Sequence, residues 1–139
     1  MKSIEKKIKT AEERISKLKR LSRELNSFEE YISSQDKIDI VERNMQVALE
    51  ACLDIGKIII ANKELQEPSD NKGIFMVLAE AGIITKKSLG FLIPMAGTRN
   101  ILVHGYDRID DVLIYGILKK DLINFEQFLN QIKIYARSL

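Results

Sequence analysis

From Ile4 onward the apolar residues of this chain return at every third or fourth position: Ile4, Ile8, Ala11, Ile15, Leu18, Leu21, Leu25, Phe28 and Ile32. At 3.6 residues per turn these side chains form one stripe, so the opening segment is expected to be a single long amphipathic helix. Ser33, Ser34 and Asp36 then offer side-chain oxygens to the free amides of a second helix running to about Asn62. Its stripe is Ile38, Val41, Met45, Ala48, Leu49, Cys52, Ile55 and Ile59. Lys63 to Lys72, with Pro68, Ser69, Asp70 and Asn71, reads as a loop, and Gly73 to Ala81 as a short third helix stopped by Gly82. Thr85 can cap a fourth helix from Lys86 to about His104; Pro94 removes one of its backbone bonds and should kink it near Gly90 or Phe91. A last helix is expected from Asp110 or Asp111. Its apolar positions are Val112, Ile114, Tyr115, Ile117, Leu118, Leu122, Phe125, Phe128, Leu129, Ile132 and Tyr135. No segment alternates apolar and polar residues as a half-buried strand would, so the fold class is all-α: an antiparallel bundle of four to five helices.

A chain of 139 residues, 45% hydrophobic and 30% charged, has the size and composition of one soluble domain spanning residues 1–139. Such a domain buries roughly 70% of the surface its unfolded chain exposes, enough for a core without disulfides or a structural metal. One cysteine, one histidine and no tryptophan exclude a disulfide framework, a zinc finger and any ligand set needing several imidazoles or thiolates. No metal and no cofactor is expected. The charge of +2 is too balanced for a protein that coats nucleic acid. It hides an asymmetry, however: residues 1–23 carry nine basic and three acidic side chains, so the first helix is the place where a phosphate backbone could be tracked. The basic N-terminus is followed by no apolar run of a signal peptide, and no segment approaches the ~20 apolar residues a bilayer span needs. The expected location is the cytoplasm. The breadth of the stripes on the second and last helices also fits a dimer, or simply the filling of one core.

Unlike functional groups concentrate in one place, Gly97-Thr98-Arg99-Asn100-Ile101-Leu102-Val103-His104-Gly105-Tyr106. At 100° per residue, positions 100 and 104 lie about 40° apart on a helix and stack as neighbours, whereas position 99 lies about 140° from position 104. Arg99 must therefore reach around the helix, meet His104 where the helix unwinds at Gly105, or serve a histidine of another chain. An RNA phosphodiester carries its own nucleophile, the 2′-hydroxyl. Its cleavage needs a base for that proton, an acid for the leaving 5′-oxygen and a cation for the charge growing on the phosphoryl oxygens. An imidazole, titrating near neutral pH, suits both proton transfers, and the forked guanidinium of Arg99 matches phosphate geometry. Asn100 could orient the imidazole or bind a phosphate oxygen. Base and acid are two tasks and the chain has one histidine, so an active site of this kind requires a two-fold dimer. Taken singly, the same residues also fit structural roles: a histidine at a helix C-terminus, an arginine stem over apolar surface, a polar surface position.

The run Arg99 to Tyr106 resembles the arginine, four residues, histidine, one residue, tyrosine signature of the HEPN superfamily, in particular its HepT-like toxin branch. Val41 to Ile55 is similar to that family's second helix, Leu78 to Ile84 to the turn before its motif helix, and Met95 to Asn100 to the lead into the arginine. The resemblance covers roughly residues 5 to 135. It implies a HEPN-like all-α fold, usually dimeric, and a metal-independent ribonuclease paired in a type VII-like toxin–antitoxin system with a minimal nucleotidyltransferase as antitoxin. It further implies Arg99 and His104 as catalytic residues, Asn100 as the supporting polar residue, and Tyr106 as the target of nucleotidylylation by the partner. A nucleotide on that phenol would place bulk and negative charge beside a cleft that must admit RNA phosphates. Pro94 departs from the family pattern. The alternative function is a helical module that binds a nucleotide or the nucleotidyltransferase without cutting RNA.

Overall fold

The computed structural model describes residues 2–104 and 110–139, and His104 by its main chain alone. Gly105 and Tyr106 lie outside the described residues. The described chain is helical: α1 Lys2–Glu24, α2 Phe28–Ile32, α3 Gln35–Asn62, α4 Asn71–Glu80, a 3-10 turn Lys86–Ser88 leading into α5 Leu89–His104, then α6 Asp111–Gly116, a π-helical segment Ile117–Asp121, and α7 Leu122–Arg137. Among the described residues there is no strand, and no helix is long and apolar enough to cross a membrane.

The first stripe does not stay on one helix. The Ser27 hydroxyl accepts from the Glu30 amide at 3.1 Å, and the Glu30 carboxylate accepts from the Asn26 amide at 2.9 Å, a reciprocal cap that closes α1 and restarts the chain as α2. The restart changes the helical phase. Tyr31 enters the core instead of Ile32, which is 44% exposed. The carbonyls at the end of α1 gain a distant donor, since Lys119 Nζ gives hydrogen bonds to Ser22 O at 2.6 Å and Leu25 O at 2.8 Å.

The α3 stripe is buried as expected, from Ile38 to Ile59, beneath a Ser34 cap whose hydroxyl accepts from the Lys37 amide. It is filled within one chain. α1 runs antiparallel to α3, with Lys7 on Asp54 at 3.0 Å and Arg14 on Asn44 at 3.2 Å, and antiparallel to α7, with Lys19 on Glu126 at 2.7 Å and Lys133 on Glu12. α4, capped by Asp70 and closed before Gly82 at φ +77°, packs across α3 at Gly56. α5 packs on α3 and α4. Its start is tied to α7, where Gln131 accepts from the Thr85 amide at 2.6 Å and donates to Ser88 Oγ at 3.0 Å, and where the Phe91 and Phe125 rings meet edge to face at 5.1 Å.

α5 runs unbroken through Pro94; the carbonyl left without its amide partner belongs to Gly90, which is exposed. The expectation for the last helix changes in detail. The last helix does begin on an Asp110 cap, which accepts from the Val112 and Leu113 amides, but a π-helical segment divides it. The cap fixes the phase so that Ile114, Ile117 and Leu118 face inward, leaving Val112 66% exposed and Leu113 46% exposed.

Candidate functional site

The residues singled out by type and spacing lie on the C-terminal half of α5. This helix persists through His104, so positions 100 and 104 keep the i, i+4 stacking of one helix face. The side chain of His104 and all of Tyr106 are outside what is described; the structure therefore locates Arg99 and Asn100 and the backbone that presents the histidine.

Arg99 reaches towards α3 and keeps one contact with Asn100 on that face. Its Nη2 lies 3.5 Å from Glu50 Oε1, and its Nη1 donates to Asn100 Oδ1, also at 3.5 Å. Tight guanidinium–carboxylate bonds run about 2.7–2.9 Å, so both contacts are loose. The two side chains of the ion pair are 30% and 35% exposed, which leaves the guanidinium accessible to a solute anion. Glu50 is itself held: Gln46 Nε2, one turn earlier on α3, donates to the same Oε1 at 3.2 Å. Asn100 is exposed. Just before Arg99, Thr98 is buried and donates to the Pro94 carbonyl at 3.0 Å, locking the helix turn that carries the arginine.

Glu50 went unnoticed in the sequence. The signal was present as Gln46, Glu50 and Asp54, polar residues stepping by four beside the apolar stripe of α3.

A separate groove of about 950 Å³ runs between α5 and the α6–α7 region, lined among others by Phe91, Pro94, Thr98, Leu113, Ile117 and Asn124. Arg99, Asn100 and Glu50 are not among its described lining residues. Cys52 offers no nucleophile, because complete burial pushes its thiol up to about 12.

An all-helical bundle with a partly exposed arginine and an adjacent amide on α5, the helix whose sequence also contains the chain's single histidine, belongs to a recognisable class of small helical nucleases. Residues 11–132 match the family model described as Ribonuclease HepT-like, and the chain belongs to that family. It is 30% identical to the mRNA nuclease HepT of Shewanella oneidensis over 127 residues, covering 91% of this chain and 93% of the relative. It is 29% identical to the tRNA nuclease HepT of Aphanizomenon flos-aquae over 113 residues, covering 81% and 77%. Among solved structures it superposes with a TM-score of 0.86 on the tri-AMPylated Shewanella oneidensis HEPN toxin in complex with MNT antitoxin, at 28% identity and 96% and 98% coverage.

Proposed function

We propose that this chain is the toxin of a type VII-like toxin–antitoxin pair: a metal-independent endoribonuclease with its active site at a homodimer interface, silenced when a nucleotidyltransferase antitoxin modifies Tyr106. The observation that carries the reading is the family match across residues 11–132, which includes the whole of α5, together with the half-exposed Arg99 guanidinium that helix presents. The names of the relatives, an mRNA nuclease, a tRNA nuclease and an AMPylated toxin bound to its antitoxin, support the substrate class and the mode of control.

The chemistry follows from the residue types. His104 of one protomer accepts the 2′-hydroxyl proton and the partner copy's histidine protonates the leaving 5′-oxygen. Arg99 stabilises the charge that builds on the phosphoryl oxygens, where a fixed cation lowers the barrier most. Asn100, stacked one turn before position 104, orients the imidazole or holds a phosphate oxygen. Nucleotides on Tyr106, two residues beyond the histidine, would fill the cleft with phosphate charge of the same sign as RNA.

The test is RNA cleavage by unmodified protein in the presence of a chelator, wild type against His104→Ala and Arg99→Ala. Wild type should cut and both variants should lose activity; cleavage retained by His104→Ala removes the mechanism. An intact-mass shift after co-expression with the nucleotidyltransferase, absent in Tyr106→Phe, tests the control.

A further inference from the structure

Resting on the nuclease reading above, we propose that Glu50 is the positioning residue for Arg99, a carboxylate on α3 that holds the guanidinium at the angle needed to meet an incoming phosphate.

Three observations carry it. Arg99 reaches to α3, a different element, where Glu50 Oε1 stands 3.5 Å from its Nη2. Glu50 is not a free surface carboxylate, since Gln46 Nε2 fixes the same oxygen at 3.2 Å. Asn100 Oδ1 takes the other terminal nitrogen at 3.5 Å. A guanidinium has five N–H donors, and these two long contacts aim the group while using only part of that capacity. A phosphate can then bind the remaining donors with the planar fork already oriented. A long arginine side chain loses on the order of 2 kcal/mol of rotamer entropy on being fixed. A pair that fixes it before substrate arrives removes that loss from the transition state, where misplacement by about an ångström can cost a hundredfold in rate.

The same geometry argues against Glu50 as a trap for the arginine. A sequestering pair would be short and enclosed, and this one is long and about one-third exposed on each side.

The test uses the full chain and single-turnover cleavage of a defined RNA. Glu50→Ala should lower kcat about 10- to 100-fold with KM changed less than about threefold, and Glu50→Gln, which keeps an acceptor oxygen, should recover part of the loss. The effect of Glu50→Ala should shrink to less than about threefold in an Arg99→Lys background, because the carboxylate acts only through the guanidinium. A Glu50→Ala enzyme as fast as wild type, or faster, overturns the proposal; so does an undiminished effect in the Arg99→Lys background. A readout independent of cleavage is Nε–Hε relaxation of Arg99 in protein labelled at arginine. Glu50→Ala should make that group distinctly more mobile, and equal mobility in both proteins overturns the positioning role. If wild type cuts no RNA while the Arg99 relaxation responds to Glu50, the nuclease reading fails and the positioning contact stands.

Discussion

Gly56 is the place where the packing under the motif helix leaves no room for a methyl group. A Cβ built there would stand 2.4 Å from Ile74 Cγ2 and 3.4 Å from Leu78 Cδ1, against an ordinary carbon–carbon contact of about 3.5–4.0 Å. Ile74 is buried to 2% and β-branched, so its Cγ2 cannot swing aside; α4 itself has to back away from α3. Overpacking of this kind costs about 1–3 kcal/mol. Alanine in a helix interior returns about 0.8–1.0 kcal/mol relative to glycine. Gly56→Ala should therefore destabilise the chain by a net of up to about 2 kcal/mol, a fall in Tm of up to roughly 7 °C for a domain of this size. Gly116 supplies the contrast. It has helical dihedrals of φ −60° and ψ −44°, and no atom of the described residues lies within 4 Å of its notional Cβ, so Gly116→Ala should gain stability from propensity alone. Thermal unfolding followed by far-ultraviolet circular dichroism measures both, at one fixed protein concentration because any self-association shifts Tm. A Gly56→Ala protein stabilised like the Gly116→Ala protein, or a Gly116→Ala protein that is destabilised, shows that the close contact with Ile74 is not what decides. Since α4 lies against both α3 and α5, this contact also sets the seat of the helix that carries Arg99.

Two further outcomes follow from groups outside the site. Burial first, then the charges of Asp111 and Asp39, raises the Glu42 carboxyl above its ordinary range. A carboxyl whose folded pKa is raised adds stability below its unfolded value and loses that contribution as pH rises through the folded value. Glu42→Gln should therefore raise Tm at pH 7, with the gain vanishing below about pH 4, where the unfolded carboxylate is also protonated; a gain that is the same at both pH values would show that its charge is not the cause. The Tyr31 hydroxyl is fully buried with no hydrogen-bond partner among the described residues, while its ring packs on Tyr115 at 5.5 Å. Tyr31→Phe keeps the ring contact and removes an unsatisfied polar atom, so Tm should hold or rise. A loss exceeding about 1 kcal/mol would reveal a partner for that hydroxyl.

The helical fold was legible because one periodicity dominates the chain. Helix starts at Ser34, Thr85 and Asp110 were visible through side chains that accept amide hydrogen bonds, and each of these caps forms; the Asp70 cap of α4 lies in the stretch read as a loop, so that helix begins at Asn71, two residues before the expected Gly73. What period alone could not show was phase. The α1–α2 break preserves a three-and-four spacing while exchanging Ile32 for Tyr31 in the core, because the Ser27 and Glu30 exchange acts on the backbone and leaves the apolar spacing intact. The π-helical segment after Gly116 is hidden for the same reason: it adds its residue without interrupting the apolar sequence. The segment also carries a contact 94 residues away, Lys119 on the Leu25 carbonyl, which no local window contains.

The site divides along the same line between local and long-range information. Residue type and spacing place Arg99, Asn100 and His104 on one helix, and α5 is helical through all three positions. Spacing also leaves open how an arginine about 140° away from the histidine position joins it. At the arginine end the structure shows the guanidinium between Glu50 on α3 and Asn100, the residue one turn before position 104. In the proposed mechanism the two tasks of base and acid need two imidazoles, one from each copy. Crossing two inactive variants, Arg99→Ala and His104→Ala, in one mixed dimer preparation tests this, because a mixed dimer holds one imidazole and one guanidinium. The mixture should stay as inactive as each variant alone; recovery of up to about a quarter to a half of wild-type cleavage, the share expected from mixed dimers that assemble at random, would show that one histidine suffices and refute the two-histidine mechanism.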